Sequence, residues 1–141
     1  MDISYSRSCA NTAAFALLVE GWNELVQDGF TPEGLAVCPV SADCECLYAY
    51  SDADDIVGAL AFKYDKAQDA NVIVLAYVEP SSRKRGVFTA LLTELKNRSG
   101  GSESSAGRIL ITVPADNKIG TEVAAKLGSP TTSSFRLWQF G

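Results

Sequence analysis

Val78-Glu79-Pro80-Ser81-Ser82-Arg83-Lys84-Arg85-Gly86-Val87-Phe88-Thr89-Ala90-Leu91-Leu92 is the stretch on which the fold turns. It opens on the last residue of Asn71 to Val78 (NVIVLAYV), almost continuously apolar, as a central strand covered on both faces requires. Pro80 stops that strand. Phe88, Leu91, Leu92 and Leu95 then recur at helical spacing and predict a helix from about Gly86 to about Asn97. Between strand and helix lies a short basic turn. The first N–H groups of a helix have no internal partner and carry the positive end of its dipole, so this arrangement can cradle a phosphate. Gly86 lets the backbone approach closely. Arg83, Lys84 and Arg85 would add charge-assisted contacts of about 1.5–3 kcal/mol each. A solvated basic turn ahead of a helix has the same composition, so on these residues alone both readings stand. The turn is neither a Walker loop, which ends in Gly-Lys-Ser/Thr, nor a dinucleotide fingerprint with its spaced glycines.

Working outward, Arg108 to Val113 (RILITV) is a second buried strand, reached through Ser99 to Gly107 (SGGSESSAG), which reads as a polar surface loop. Asp116 to Leu127 is a helix closed by Gly128, and Ser133 to Phe140 a last strand. Upstream, Leu47 to Tyr50 and Ile56 to Tyr64 form a hairpin across the turn Ser51 to Asp55. That acidic turn lacks the glycine and distal glutamate of a calcium loop and reads as solvated. Asp65 to Ala70 is another turn. Asp2 to Tyr5 is a short first strand. Ser8 caps a helix running to about Asp28, on the spacing of Phe15, Leu18, Trp22, Leu25 and Val26. Gly29 to Pro32 ends it, and Glu33 to Asp43 carries no clear element. The order is β-α, antiparallel strands, then β-α-β-α-β. The expectation is an α+β (mixed α/β) domain over residues 1–141, with a mostly antiparallel sheet of about six strands and helices on both faces.

The 141 residues suffice for one hydrophobic core, and no apolar run approaches a bilayer span. No signal peptide is evident, so the cytoplasm is the expected compartment. There is no histidine, which removes Ser-His-Asp and Cys-His nucleophilic machinery and His-based metal centres. Cys9, Cys38, Cys44 and Cys46 match no familiar zinc spacing, and buried thiols are the expected reading beside a zinc-binding adaptor. Residues 1–82 carry thirteen Asp/Glu against three Lys/Arg, a balance of −10, while residues 83–141 carry four against nine, a balance of +5. Two unlike ligand surfaces follow, one for cations and one for anions. A pI of 4.6 argues against nucleic acid as a partner.

Val78-Glu79-Pro80 followed by Arg83-Lys84-Arg85-Gly86-Val87-Phe88 resembles the GNAT acetyltransferase signature. In that signature a strand ending in Val-x-Pro leads to Arg/Gln-x-x-Gly-x-Gly/Ala and a helix. Phe88 stands where the family has a small residue. Asn117, Gly120, Val123, Ala124, Lys126, Leu127, Gly128 and Ser129 fall at the spacings of the family's next helix, Asn-x-x-Ala-x-x-Leu-Tyr-x-Lys-Leu-Gly-Phe. The likeness spans roughly Ile56 to Gly128. It implies that acetyl-CoA is the cosubstrate. Arg83, Lys84, Arg85, Gly86, Val87, Phe88 and Thr89 would hold its pyrophosphate, chiefly through the backbone of 84–89. The main chain of Ala76, Tyr77 and Val78 would pair with the pantetheine arm, and Asn117 would approach it.

The chemistry implied is direct acetyl transfer to a primary amine of a small molecule or protein, with no covalent enzyme intermediate. Tyr77 and Glu79 are the candidate bases, acting through water. Their alternatives are a packed aromatic and a solvated strand-end residue. The family's tyrosine, a frequent proton donor to the CoA thiolate, maps onto Ala124, which cannot donate. A GNAT-fold CoA-binding or structural protein without turnover is therefore the alternative reading. The acidic first half forms much of the acceptor side in such a fold, so a cationic amine is expected. About a dozen residues follow Gly128, room for one strand where the family commonly has two. Either the sheet is short there or a partner completes it, as a homodimer through the C-terminal strand.

Overall fold

The computed structural model describes residues 2–10, 13–29, 38–100, 108–114, 125, 129–130 and 135–140. Its elements are β1 (Asp2–Ser6), α1 (Ala13–Asp28), β2 (Glu45–Tyr50), β3 (Ile56–Asp65), β4 (Ala70–Val78), a 3-10 turn (Pro80–Ser82), α2 (Val87–Gly100), β5 (Ile109–Pro114), β6 (Ser129–Pro130) and β7 (Phe135–Phe140). The strands form one sheet in the order β1-β2-β3-β4-β5-β7-β6. Only β4 and β5 run parallel, joined by the α2 crossover, while the other neighbours are antiparallel. The mixed, mostly antiparallel α+β architecture expected from the sequence is therefore present.

Alternation along the strands gives each face of the sheet its own core. On one face Leu47, Leu60, Phe62, Ile73 and Ile109 meet Leu91, Leu92 and Leu95 of α2. On the other, Cys46, Ala59, Ala61 and Leu75 meet Ala14, Leu18 and Trp22 of α1. The strand side chains are large under α2 and mostly small under α1. The described helices thus cover opposite faces. No helix among the described residues is long and apolar enough to cross a membrane.

Several sequence expectations are corrected. Helix α1 begins at Ala13, not beside Ser8. Ser8 instead donates to the Ala42 carbonyl (2.9 Å) and accepts from the Ala10 N–H, bracing a turn. Helix α2 runs three residues past Asn97, into what reads as polar loop. Ser99 is buried there, 2.7 Å from the Asn71 side-chain amide, which ties the last turn of α2 to the start of β4. Val26, expected on the buried stripe of α1, is exposed. Two strands follow Gly128, not one, because β6 pairs with β7. Both strands thus stand at that end of the sheet. Of the expected helix Asp116 to Leu127, only Ala125 is described, and it is helical. Asn117 and Ala124 lie outside the described residues.

Candidate active site

The site begins with an irregularity in β4. Its pairing with β3 sets Leu75 against Ala61 but Ile73 against Phe62, leaving Val74 as an extra, bulged residue. Its pairing with β5 ends at the same place, with Asn71↔Ile109, Val72↔Leu110 and Ile73↔Ile111. Beyond Ile111, β5 pairs only with β7. From Val74 onward β4 has no strand on its β5 side among the described residues, and the two strands part. The Glu79 N–H donates to the Val57 carbonyl on the β3 side (2.9 Å). Since successive backbone groups alternate in direction, the N–H and C=O of Val78 point the other way, into the parting. The Val78 carbonyl is met there by the Arg83 side chain, and the rest of this edge can take a ligand carrying amides.

The parting leads to the basic turn. Ser82 N–H bonds to the Glu79 carbonyl (3.0 Å), and the chain reverses with φ of +63° at Lys84 and +80° at Gly86. A Cβ at Gly86 would meet no atom within 4 Å, so glycine is there for its conformation, not for space. The first α-helical bond runs from Ala90 N–H to the Gly86 carbonyl (2.9 Å). The N–H groups of Val87, Phe88 and Thr89 precede it and have no acceptor within the helix. The first turn of α2 carries no acidic residue to compete with an anion. Val87 is buried against Gly58, where a Cβ would come within 2.6 Å of Val87 Cγ1. Gly58 thereby lets the helix start press onto β3. Phe88 packs against the α2-side core, which accounts for its bulk at this position. Lys84 and Arg85 are exposed and make no ion pair among the described residues. The residues present thus fit a diphosphate: unpaired helix-start N–H groups, a left-handed turn and two available cations.

Arg83 is placed differently. Its Nε–H donates to the Val78 carbonyl (2.9 Å), and Nη2 lies 3.0 Å and 3.3 Å from the two Glu24 carboxylate oxygens. The guanidinium sits 5.3 Å from the centre of the Tyr77 ring. Tyr77 hydroxyl donates to Glu24 Oε2 (2.7 Å). Burial first, then this bond to a carboxylate, push the Tyr77 phenol up to about 12. Donation from Tyr77, with Arg83 alongside, holds the Glu24 carboxyl below the ordinary range. The Tyr77 hydroxyl thus serves Glu24 as a donor. Glu79, the other candidate base, accepts from both Ser81 and Ser82 hydroxyls at Oε1 (3.0 Å each), which makes it a cap for its own turn.

Glu24 is what the sequence reading missed by name, although it lies in the acidic half. It projects from α1 beside Glu20 into a shallow groove that Ala16, Val19, Asn23 and Gln27 complete. Gly21, one helical turn before Glu24, allows the contact with β4, because a Cβ there would lie 2.5 Å from the Tyr77 ring. A glycine inside a helical pattern three residues before a carboxylate was the available signal.

The cysteines form no comparable centre. Cys9, Cys44 and Cys46 are buried in the α1-side core with Cys38 at its edge, all reduced thiols. Donation toward Cys46, with burial, raises the Cys9 thiol well above its usual range. No group of metal-ligating side chains occurs among the described residues.

The sequence matches the Acetyltransferase (GNAT) family over residues 12–128. No curated protein is significantly similar to it. Among solved structures, the fold is similar to the PaiA N-acetyltransferase of Thermoplasma acidophilum in complex with coenzyme A (TM-score 0.71, 14% identity, 99% of each chain covered). It is also similar to the ribosomal-protein-alanine N-acetyltransferase of Brucella melitensis (TM-score 0.66, 17% identity, 95% of this chain and 96% of that one). A third likeness is to the catalytic domain of a Tetrahymena histone acetyltransferase in complex with coenzyme A (TM-score 0.66, 13% identity, 99% and 94% covered). At these identities the likeness is one of fold.

Proposed function

Because the chain belongs to the GNAT acetyltransferase family, we propose that it is an acetyl-CoA-dependent N-acetyltransferase acting on a primary amine, by direct transfer. The observation that carries this reading is the parting of β4 from β5 at the Val74 bulge, ending on the Lys84–Gly86 turn and the open N–H groups of α2. Two of the similar structures hold coenzyme A.

In this reading the backbone of residues 84–89 binds the pyrophosphate, with Lys84 and Arg85 adding charge. The exposed edge of Ala76 and Val78 takes the amide-bearing pantetheine arm as an added strand would be taken. An acyl-CoA supplies the acyl group as a thioester: the amine nitrogen bonds to its carbonyl carbon, the C–S bond breaks, and the sulfur leaves as thiolate. The Val78 N–H, aimed into the parting, is the donor this chain offers to a developing oxyanion. Tyr77 spends its proton on Glu24, and Glu79 Oε1 accepts from two serine hydroxyls, so in this reading the amine's proton leaves through water. The acceptor reaches the reacting centre from the α1 side, where Glu20 and Glu24 line the groove, and a cationic amine suits that charge.

A CoA-binding protein without turnover is the second reading, favoured by the engagement of both candidate bases in local hydrogen bonds. Thiol release from acetyl-CoA across a panel of amines, run beside calorimetric titration with CoA, separates the two. Amine-dependent release supports the transferase. CoA binding with no release on any amine transfers the case to the second reading.

A further inference from the structure

We propose that the Glu24 carboxylate and the face of Tyr77 form the seat for a cationic group of the acceptor, and that Arg83 fills this seat until phosphate draws it away. The inference rests on the acyl-CoA reading of residues 83–89 and deepens it by naming the acceptor class. The seat is built from three elements: Glu24 on α1, Tyr77 on β4 and Arg83 on the turn. What it already holds shows what it selects. A guanidinium lies at hydrogen-bond distance from both Glu24 oxygens and over the Tyr77 ring, with the Tyr77 hydroxyl orienting the carboxylate. A carboxylate beside an aromatic face is the chemistry that recognises ammonium and guanidinium groups.

Arg83 is the one cation of the turn that does not stand ready for an anion. Its pairing with Glu24 is open to solvent, with side chains 42% and 38% exposed, so that contact exchanges at little cost. The Val78 carbonyl that Nε–H would leave faces the parting, where an amide-bearing ligand can replace it. A diphosphate offers a guanidinium more negative charge than one carboxylate, in the paired-oxygen geometry it matches best. Movement of Arg83 to the phosphates leaves Glu24 and neighbouring Glu20, at the mouth of the α1 groove, with no ion-pair partner among the described residues. A second cation then has a vacated place to enter. Glu24 is held below the ordinary carboxyl range and has a committed donor in Tyr77, so it suits holding a charge better than removing a proton. A diamine or an aminoalkyl guanidine fits: one cation in the seat, one amine presented for transfer. Cofactor and acceptor are thereby linked, cofactor first.

The test uses the full chain, CoA for binding and acetyl-CoA for turnover, and the pair 1,4-diaminobutane and butylamine, with wild type, Glu24→Gln and Arg83→Gln. Thermal melts confirm that each variant is folded. Glu24→Gln releases Arg83, so CoA is expected to bind about two- to fivefold more tightly by calorimetry. The same variant loses the wild type's preference for the diamine over the monoamine, expected at about tenfold in kcat/KM. Arg83→Gln vacates the seat, so the diamine binds it more tightly than wild type in the absence of CoA, while CoA binds more weakly. Wild-type CoA binding that Glu24→Gln leaves unchanged or weakens would overturn the exchange, as would an undiminished diamine preference. If no variant binds CoA, the acyl-CoA reading and the exchange fall together. The cation seat is then judged alone, by diamine titration of Arg83→Gln against wild type.

Discussion

The two faces of the sheet share their strands and end in opposite chemistry. Under α2, large aliphatic side chains carry the helix, and its start is left with unpaired N–H groups beside Lys84 and Arg85. Under α1, the strands contribute Cys46, Ala59 and Ala61 with one larger residue, Leu75, the helix lies close, and a glycine admits Tyr77 to a carboxylate. One face makes an anion site out of backbone, the other a cation site out of side chains. Backbone sites are set by a few consecutive residues, whereas side-chain sites need distant segments to meet. Arg83 connects the two, with its backbone in one and its guanidinium in the other.

The comparison can be broken most forcefully at the anion side. Replacing both Lys84 and Arg85 by alanine should weaken CoA binding about a hundredfold, at roughly 1.5 kcal/mol for each lost contact, with no change in melting temperature. An unchanged affinity would mean that the turn is solvated decoration.

The two close-contact glycines sharpen the contrast in packing. Gly21→Ala drives a Cβ into the root of the Tyr77 side chain, which has no room to swing, and should cost about 1–3 kcal/mol in denaturant unfolding. Gly58→Ala is crowded by the Cγ1 methyl of Val87 at 2.6 Å, with Val78 and Leu91 at ordinary contact, and should fall at the lower end, about 1 kcal/mol. Equal costs would show that the α1 side is no tighter than the α2 side.

Smaller still is the effect of Tyr77→Phe, expected at about 0.5–1.5 kcal/mol for one lost hydrogen bond. Its pH dependence identifies the partner. Tyr77 is raised from 10 to about 12, so its contribution is full below pH 10 and is lost as pH rises through 12. Glu24 is lowered, so its contribution is full above the ordinary carboxyl value of 4.5 and is lost as pH falls through its lower folded value. The stability difference between wild type and Tyr77→Phe should therefore shrink at both extremes. A difference that is flat with pH would mean that the Tyr77–Glu24 bond contributes nothing.

What was legible in the sequence follows the same division. The apolar run Asn71 to Val78, the break at Pro80 and the helical spacing of Phe88, Leu91, Leu92 and Leu95 are local, and the strand, turn and helix stand where they indicate. The alternation in Leu47 to Tyr64 likewise marks the hairpin. The Val74 bulge was not legible, because one extra residue in a continuous apolar strand disturbs no pattern. Nor was the seat at Glu24, whose partners lie 53 and 59 residues away. Ser99 reads as loop because glycines and serines follow it, and a tertiary bond from Asn71 overrides that local preference. The family likeness found in residues 78–88 is matched by family membership over residues 12–128.

The most direct measurement of the central claim is calorimetric titration of the full chain with CoA at low and at high salt. The expected result is one-site binding that weakens as salt rises and is lost, or nearly so, in the Lys84→Ala/Arg85→Ala variant. The absence of binding heat at any salt, or binding indifferent to those two residues, would contradict the assignment of the turn as the cofactor's cradle.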